Sequence, residues 1–197
     1  MLLDIIRLRR SIRRYGADPV PDGELMRLLE AARWAPSAHN RQPWRFAVLR
    51  SAASRQKLAK AMGERLAADL RGDGVPADVI KQDVERSYQR ITGAAAAIVL
   101  CLSMADMDQD PDQERQLAER VMAIQSVAMA GQNLLLMASA SGLGACWMCA
   151  PLFCADVVSD VLGLAPDWEP QALITVGYPV QQRRGTRQDL ETRMVWR

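Results

Sequence analysis

The 197-residue chain contains a single histidine, His39. With one imidazole there is no histidine pair or triad, so a metal site would have to be built from cysteines, and none is expected. Cysteine is scarce too. Cys101, Cys146, Cys149 and Cys154 are too few, and sit too late in the chain, to form a secreted disulfide framework. No charge sign dominates: 25 Lys and Arg against 23 Asp and Glu leave a net charge of +2. That balance demands neither nucleic acid nor an anionic membrane. Aromatics make up only 5%, too thin to interleave the basic stretches as base-stacking partners. Repeats, linkers and low-complexity tracts are also missing. The opening MLLDIIRLRR breaks its short apolar run at Asp4, unlike a secretory leader. A single cytoplasmic domain over residues 1–197 is the expectation.

One apolar run is long enough to raise the question of a membrane. Val121–Ala140 approaches the length of a spanning helix. Gln125, Gln132 and Asn133 interrupt it, and charged residues feed directly into it, so a buried central helix or subunit interface fits better.

The hydrophobic spacing predicts mostly helices. Residues 2–8 form a short amphipathic helix, and Asp22 is positioned to cap a helix bearing Leu25, Leu28, Leu29 and Ala32. Pro36 stops that helix. A strand is expected at Arg45–Arg50, then a helix capped by Ser54, a Gly/Pro loop at 72–76 and a polar helix to about Ile91. Ala94–Leu102 reads as a strand buried on both faces. A long helix over about 112–141 follows, then a short one at Asp156–Leu162 closed by Gly163, and a strand at Ala172–Gly177. Few strands and many helices give an α+β fold with a small central mixed β-sheet covered by helices.

Three segments carry candidate chemistry. Arg9-Arg10-Ser11-Ile12-Arg13-Arg14-Tyr15 offers guanidinium forks and a hydroxyl, donors suited to phosphate. A solvated basic patch or a nucleic-acid arm are the other readings of the same run. Pro36-Ser37-Ala38-His39-Asn40-Arg41-Gln42-Pro43-Trp44 is a polar loop bracketed by prolines, either a wall for a heterocyclic ligand or a plain connection. Ser141-Gly142-Leu143-Gly144-Ala145-Cys146-Trp147-Met148 lets backbone turn tightly or approach a ligand. It follows a helix and does not open one, so it is not a dinucleotide fingerprint. Cys146 and Cys149 have C-x-x-C spacing but lack the strand-to-helix setting of a thioredoxin-like motif.

Taken in order, these segments resemble the nitroreductase-like FMN flavoproteins over nearly the whole chain. Arg9 to Tyr15 match R-R-S-x-R-x-[FY], and Pro36 to Phe46 match P-S-x-x-N-x-Q-P-W-x-F. Gln132 to Leu136 and Gly142 to Trp147 match Q-N-L-L-L followed by G-L-G-x-x-W, and Val176-Gly177-Tyr178-Pro179 fits the tail.

The resemblance implies an interlocked homodimer with a long central interface helix and FMN at the subunit boundary. Arg9, Arg10, Ser11 and Arg13 would hold the phosphate, the ribityl chain and the ring edge. Pro36, Ser37, His39 and Asn40 would come from the partner. Backbone around Cys146, Trp147 and Met148 would face the reacting flavin nitrogen, and Arg187, with Arg184, would return to the phosphate. No side chain is given a catalytic role, because the cofactor carries the redox step. The implied activity is an FMN-dependent, two-step oxidoreductase taking electrons from NAD(P)H to a small nitroaromatic or quinone acceptor. Narrower readings stay open: the nitroreductase-like domain of deazaflavin-cofactor biosynthesis proteins, flavin-cleaving or dehalogenating enzymes, and a non-enzymatic flavin or nucleotide binder. Neither nucleic acid nor membrane is expected as a partner, and the lid over the substrate is expected from residues 63–92.

Overall fold

Every residue of the apolar run Ala96–Leu102 is buried, so it must be covered on both faces and paired along both edges. The computed structural model, which describes residues 1–181 and 185–197, builds the fold around that strand. The elements are α1 (Leu2–Leu8), α2 (Asp22–Arg33), β1 (Trp44–Leu49), α3 (Ala52–Gly72), α4 (Ala77–Thr92), β2 (Ala96–Leu102), α5 (Gln113–Ala140), β3 (Gly144–Met148), α6 (Ala155–Leu162) and β4 (Glu169–Gly177). Short 3-10 turns lie at Ala38–Asn40, Ala150–Phe153 and Leu190–Arg193.

The four strands are ordered β1-β2-β4-β3, and each neighbouring pair is antiparallel. The mixed character expected of the sheet is confined, among the described residues, to one isolated parallel bridge between Ser11 and Ala145. Topology gives the reason. α3 and α4 run out and back as a helical hairpin, so the chain re-enters the sheet at the end where it left β1. A register shift in β2 at Leu100/Cys101 lies opposite Pro170–Ala172, where proline has no N–H to give the ladder.

Alternation along the strands divides the core in two. Ile98, Leu100, Ile174 and Val176 face α2 and α5, where Leu28, Val127, Ala130 and Leu134 meet them. Val99, Cys101 and Leu173 face α3 and α6, against Leu58, Met62 and Val158. α5 is long and apolar enough to cross a bilayer by composition. Here it buries Ala123, Val127, Ala130, Leu134 and Ala138 on the sheet and α2. Asn133 of the same helix donates to the Ala31 carbonyl at 3.2 Å, tying α5 to α2.

Helix starts differ from the sequence expectations in an instructive way. Asp22 does not cap α2. Pro21 occupies that position, and Asp22 lies in the first turn, paired with Arg50 at 2.8 Å. The cap of α3 is Ser51, whose hydroxyl accepts from the Ser54 amide at 3.0 Å. Both helices thus begin at the residue whose geometry leaves the helical region, not at the nearest small polar side chain. Gly163 closes α6 in the left-handed conformation with φ 61°, as expected.

Candidate functional site

The site is organised by an edge strand that the sequence reading passed over. β3 pairs with β4 on one side, Gly144 opposite Gly177 and Cys146 opposite Thr175. Its other side receives the arginine element. The Ile12 amide donates to the Ala145 carbonyl at 3.0 Å, and the Gly16 amide to the Tyr178 carbonyl at 2.8 Å. Side chains lock the same seat. A Cβ on Gly144 would lie 2.8 Å from Ile12 Cβ, and one on Gly177 would lie 2.9 Å from the Tyr15 ring. Two facing glycines therefore make room for Ile12 and Tyr15, a packing use of Gly144 beside the tight turn or ligand approach expected of this segment. Gly142, with φ 73°, supplies the turn.

Tyr15 anchors the element from within. Its hydroxyl donates to the Ile12 carbonyl at 2.5 Å and meets the buried Thr175 hydroxyl at 2.8 Å. Burial pushes the phenol well above its ordinary pKa, so it stays a neutral donor.

Of the guanidinium-bearing residues of this segment and the tail, Arg9, Arg10 and Arg13 are half-buried and Arg187 is exposed. Burial, with Arg187 and then Arg10 nearby, lowers the Arg9 pKa from its ordinary value. Arg10 donates to the Arg7 and Arg9 carbonyls at 2.5 and 2.7 Å, while its Nε is buried with no partner among the described residues. The same holds for Gln181 Nε2. A cavity of about 290 Å³ opens here, lined by Leu8, Arg9, Arg10, Gly144, Pro179 and Gln181 among others. The tail reaches the same place: a Cβ on Gly185 would lie 2.8 Å from Arg10 Nε. Among the described residues none of Arg9, Arg10, Arg13 or Arg187 is paired with a carboxylate. Arg184 lies outside the described residues.

Cys146, Trp147 and Met148 lie on β3. Cys146 is buried, and Trp147 sends its ring inward against α5, where a Cβ on Gly131 would stand 2.2 Å from it. Trp147 Nε1 donates to Cys149 Sγ at 3.1 Å, and no disulfide joins the described cysteines. What Trp147 can offer a ligand is backbone. Alternation aims its N–H and C=O the same way as those of Ala145, away from β4 and along the open edge beyond Ile12.

The loop of Pro36, Ser37, His39 and Asn40 is rigid and strained. His39, Asn40 and Gln42 all have positive φ, 50°, 54° and 52°. Ser37 Oγ accepts from the Gln42 amide at 3.0 Å, and the Ala38 amide donates to Ser126 Oγ of α5 at 3.2 Å. His39, Asp108 and Glu119 bring their polar atoms within 4.8 Å of one another, and Asp108 is also paired with Arg41.

This loop and the arginine element do not meet within one chain. The loop leads into β1, at one edge of the sheet, and the arginine element lies on β3, at the other. Three strand spacings, about 14 Å, separate the edges.

The structure also assembles residues that carried no sequence signal. Arg86, Gln89 and Arg90 of α4 join Arg13, Arg14 and Tyr15 around a second cavity of about 510 Å³. Only the i, i+4 spacing of Arg86 and Arg90 could have shown that they share a face.

The chain is similar to known proteins in sequence and fold. The model of the Nitroreductase family matches residues 6–178. A Thermus thermophilus protein named NADH dehydrogenase is 32% identical over 202 residues, covering 96% of this chain and 92% of its own. A Desulfovibrio desulfuricans structure described as a nitroreductase in complex with FMN superposes with a TM-score of 0.77 at 28% identity, covering 100% and 96% of the two chains. A BluB-like flavoprotein of Clostridium difficile shares the fold with a TM-score of 0.83 at 22% identity, covering 100% and 98%.

Proposed function

The chain belongs to the nitroreductase family, and from that premise we propose that it is an FMN-dependent oxidoreductase whose active sites are shared between two copies. The observation that carries this reading is the crowd of unpaired cations at the β3 edge. Arg9, Arg10 and Arg187 lie together without a carboxylate among the described residues, and Arg10 Nε and Gln181 Nε2 are buried donors with no acceptor among them. Such an arrangement is costly until an anion arrives. The phosphate of FMN is a dianion of that kind, so these residues fit the cofactor.

Arg9, Arg10, Ser11 and Arg187 would hold the phosphate and ribityl end, with Arg184 as a further cation from the tail. Arg13 would face the electron-rich edge of the ring. The outward N–H of Trp147, between Cys146 and Met148, would donate to the reacting nitrogen, favouring the reduced, more negative ring. When bound, FMN supplies the two-electron chemistry, taking hydride from NADH or NADPH and, after the nicotinamide leaves, passing it to a flat, electron-poor acceptor such as a quinone or nitroaromatic.

The second half of the site would come from a partner. Pro36, Ser37, His39 and Asn40 stand at the far edge of the sheet in their own chain, but a two-fold related copy can present them to the β3 edge. The surface supports that arrangement. Leu117, Val121 and Ile124 form an exposed stripe on α5 at i, i+4, i+7, and Leu2, Leu3 and Leu8 of α1 are exposed as well. Burying that stripe in a homodimer also explains α5 without a membrane and suits a soluble, cytoplasmic protein.

Flavin absorbance bleached anaerobically by NADH or NADPH tests the activity. Mixing tests the shared site. A variant lacking Arg9 and Arg13 and a variant altered at Ser37 and His39 should each lose FMN. Co-refolded in equal amounts, about half the dimers would be mixed and each would keep one intact site, restoring about a quarter of the sites. No recovery, with both variants folded and dimeric, would place the loop outside the site.

A further inference from the structure

We propose that the second cavity, between the arginine element and the C-terminal half of α4, binds a phosphate group carried by one of the substrates that meet the flavin. This deepens the reading above and rests on it. Four guanidinium groups line the cavity: Arg13 and Arg14 from the arginine element, Arg86 and Arg90 from α4. Gln89 lies between the last two, its amide donating to Glu85 Oε1 at 2.7 Å. Their only carboxylate partner among the described residues is Asp83, one turn back on α4 and paired with Arg86.

A bland account exists for part of this. Cations near the C-terminus of a helix offset its dipole. That account covers Arg86 and Arg90 singly, but it does not explain why two like charges stand at i, i+4, where they repel. Nor does it explain why Arg13 and Arg14 are brought against them across a cavity. Neither arginine of α4 makes a hydrogen bond to the terminal carbonyls, which would be the expected use of such a cation. Arg13, Arg14 and Arg90 donate to no described residue. Their forks are free for an anion, and planar guanidinium groups match the oxygens of phosphate in pairs.

The charge count favours a phosphomonoester over a carboxylate, because four cations against Asp83 and the Glu85 carboxylate held by Gln89 leave two charges to answer. The cavity adjoins the flavin element through Arg13 but has its own residues on α4, so it can select a substrate without holding the cofactor. Two sources share this chemistry: the 2′-phosphate that distinguishes NADPH from NADH, and a phosphate on the electron acceptor.

The test uses FMN-loaded enzyme and two matched pairs, NADPH against NADH and 4-nitrobenzyl phosphate against 4-nitrobenzyl alcohol. Wild-type enzyme should prefer the phosphate-bearing member of one pair. Arg86→Gln should lower kcat/KM for that member by about ten- to a hundredfold, the worth of a charge-assisted hydrogen bond, and leave the counterpart that lacks this phosphate unchanged. Arg14→Gln, also on the exposed rim, should act in the same direction. The pair that responds identifies the source. Equal kinetics for both members of both pairs in wild-type enzyme would overturn the proposal. So would loss of FMN in Arg86→Gln, because the cavity would then belong to the cofactor. A protein without flavin absorbance, or one that no nicotinamide bleaches, would instead defeat the functional reading on which this one rests.

Discussion

Gly144→Ala is a small change that should detach the cofactor element. The added Cβ would lie 2.8 Å from both Ile12 Cβ and Ile12 Cγ2. Carbon atoms in contact settle at about 3.5–4.0 Å, so Ile12 must retreat by about 1 Å. Ile12 Cβ is fixed to the backbone and cannot rotate aside. The retreat therefore carries the Ile12 amide away from the Ala145 carbonyl, now 3.0 Å distant, and moves Arg9 to Arg13 with it. Overpacking of this kind costs about 1–3 kcal/mol, or a fall in Tm of about 2–4 °C per kcal/mol for a chain of this size. The effect on function should be larger than that on stability, since about 1 Å of misplacement in a positioned site can cost about a hundredfold. FMN affinity of the apoprotein, read by quenching of flavin fluorescence, and Tm measure the two effects. Gly23→Ala is the control: nothing lies within 4 Å of its added Cβ, and it should gain about 0.5–1 kcal/mol from helix propensity alone. A Gly144→Ala protein with unchanged FMN affinity and Tm would refute the claim that this glycine seats the arginine element.

Two further predictions concern charge and burial. Burial pushes the Cys101 thiol up to about 12 and raises that of Cys154 as well, whereas Cys149 is exposed. At pH 8 about one Cys101 in ten thousand is thiolate. Ellman's reagent should therefore label Cys149 first, and Cys101 and Cys154 only on unfolding. The sign for stability follows. A thiol whose pKa is raised by folding favours the native state below the unfolded value of about 8.5 and loses that contribution as pH climbs toward 12. Fast labelling of Cys101 in the native protein would contradict this burial. Arg55 is only 7% exposed, and among the described residues its guanidinium makes one hydrogen bond, to the Arg50 carbonyl at 2.8 Å. Burial lowers its pKa, so the charged form opposes folding at every working pH. Arg55→Met should be neutral or stabilising by up to about 1 kcal/mol, while Arg55→Ala should destabilise through lost packing. A denaturant midpoint that falls as far for methionine as for alanine would show that the charge itself is needed.

Much of the fold was legible because periodicity reports burial. β2 and the buried stripe of α2 followed from spacing alone. β3 did not. It is five residues long, and its first residue is a glycine that reads as a loop, although it is there to admit Ile12. The caps were misplaced for a related reason: Ser51 and Ser54 are both serines, and only backbone conformation decides which one leaves the helix. At the site, linear motifs marked Arg9 to Tyr15 and Pro36 to Asn40. Arg86 and Arg90 were invisible, because one helix face says nothing of which segment packs across from it. That information lies in the topology.

The same topology bears on why the site should need two copies. A sheet ordered β1-β2-β4-β3 puts the residues before β1 and the element beside β3 as far apart as four strands allow. No local rearrangement brings them together, because every residue of β2 is buried and nearly all of β4, so the distance between the edges cannot shrink. Each half is nonetheless built to face something. The loop holds three residues at positive φ, pinned by Ser37 and Ser126. The arginine element is pinned by Tyr15 and two glycines. Strain and unpaired charge are tolerated where binding repays them. On the proposed reading, two rigid half-sites at opposite edges of one rigid sheet would complete one another in a two-fold dimer, and a monomer would carry the cost of both without completing either.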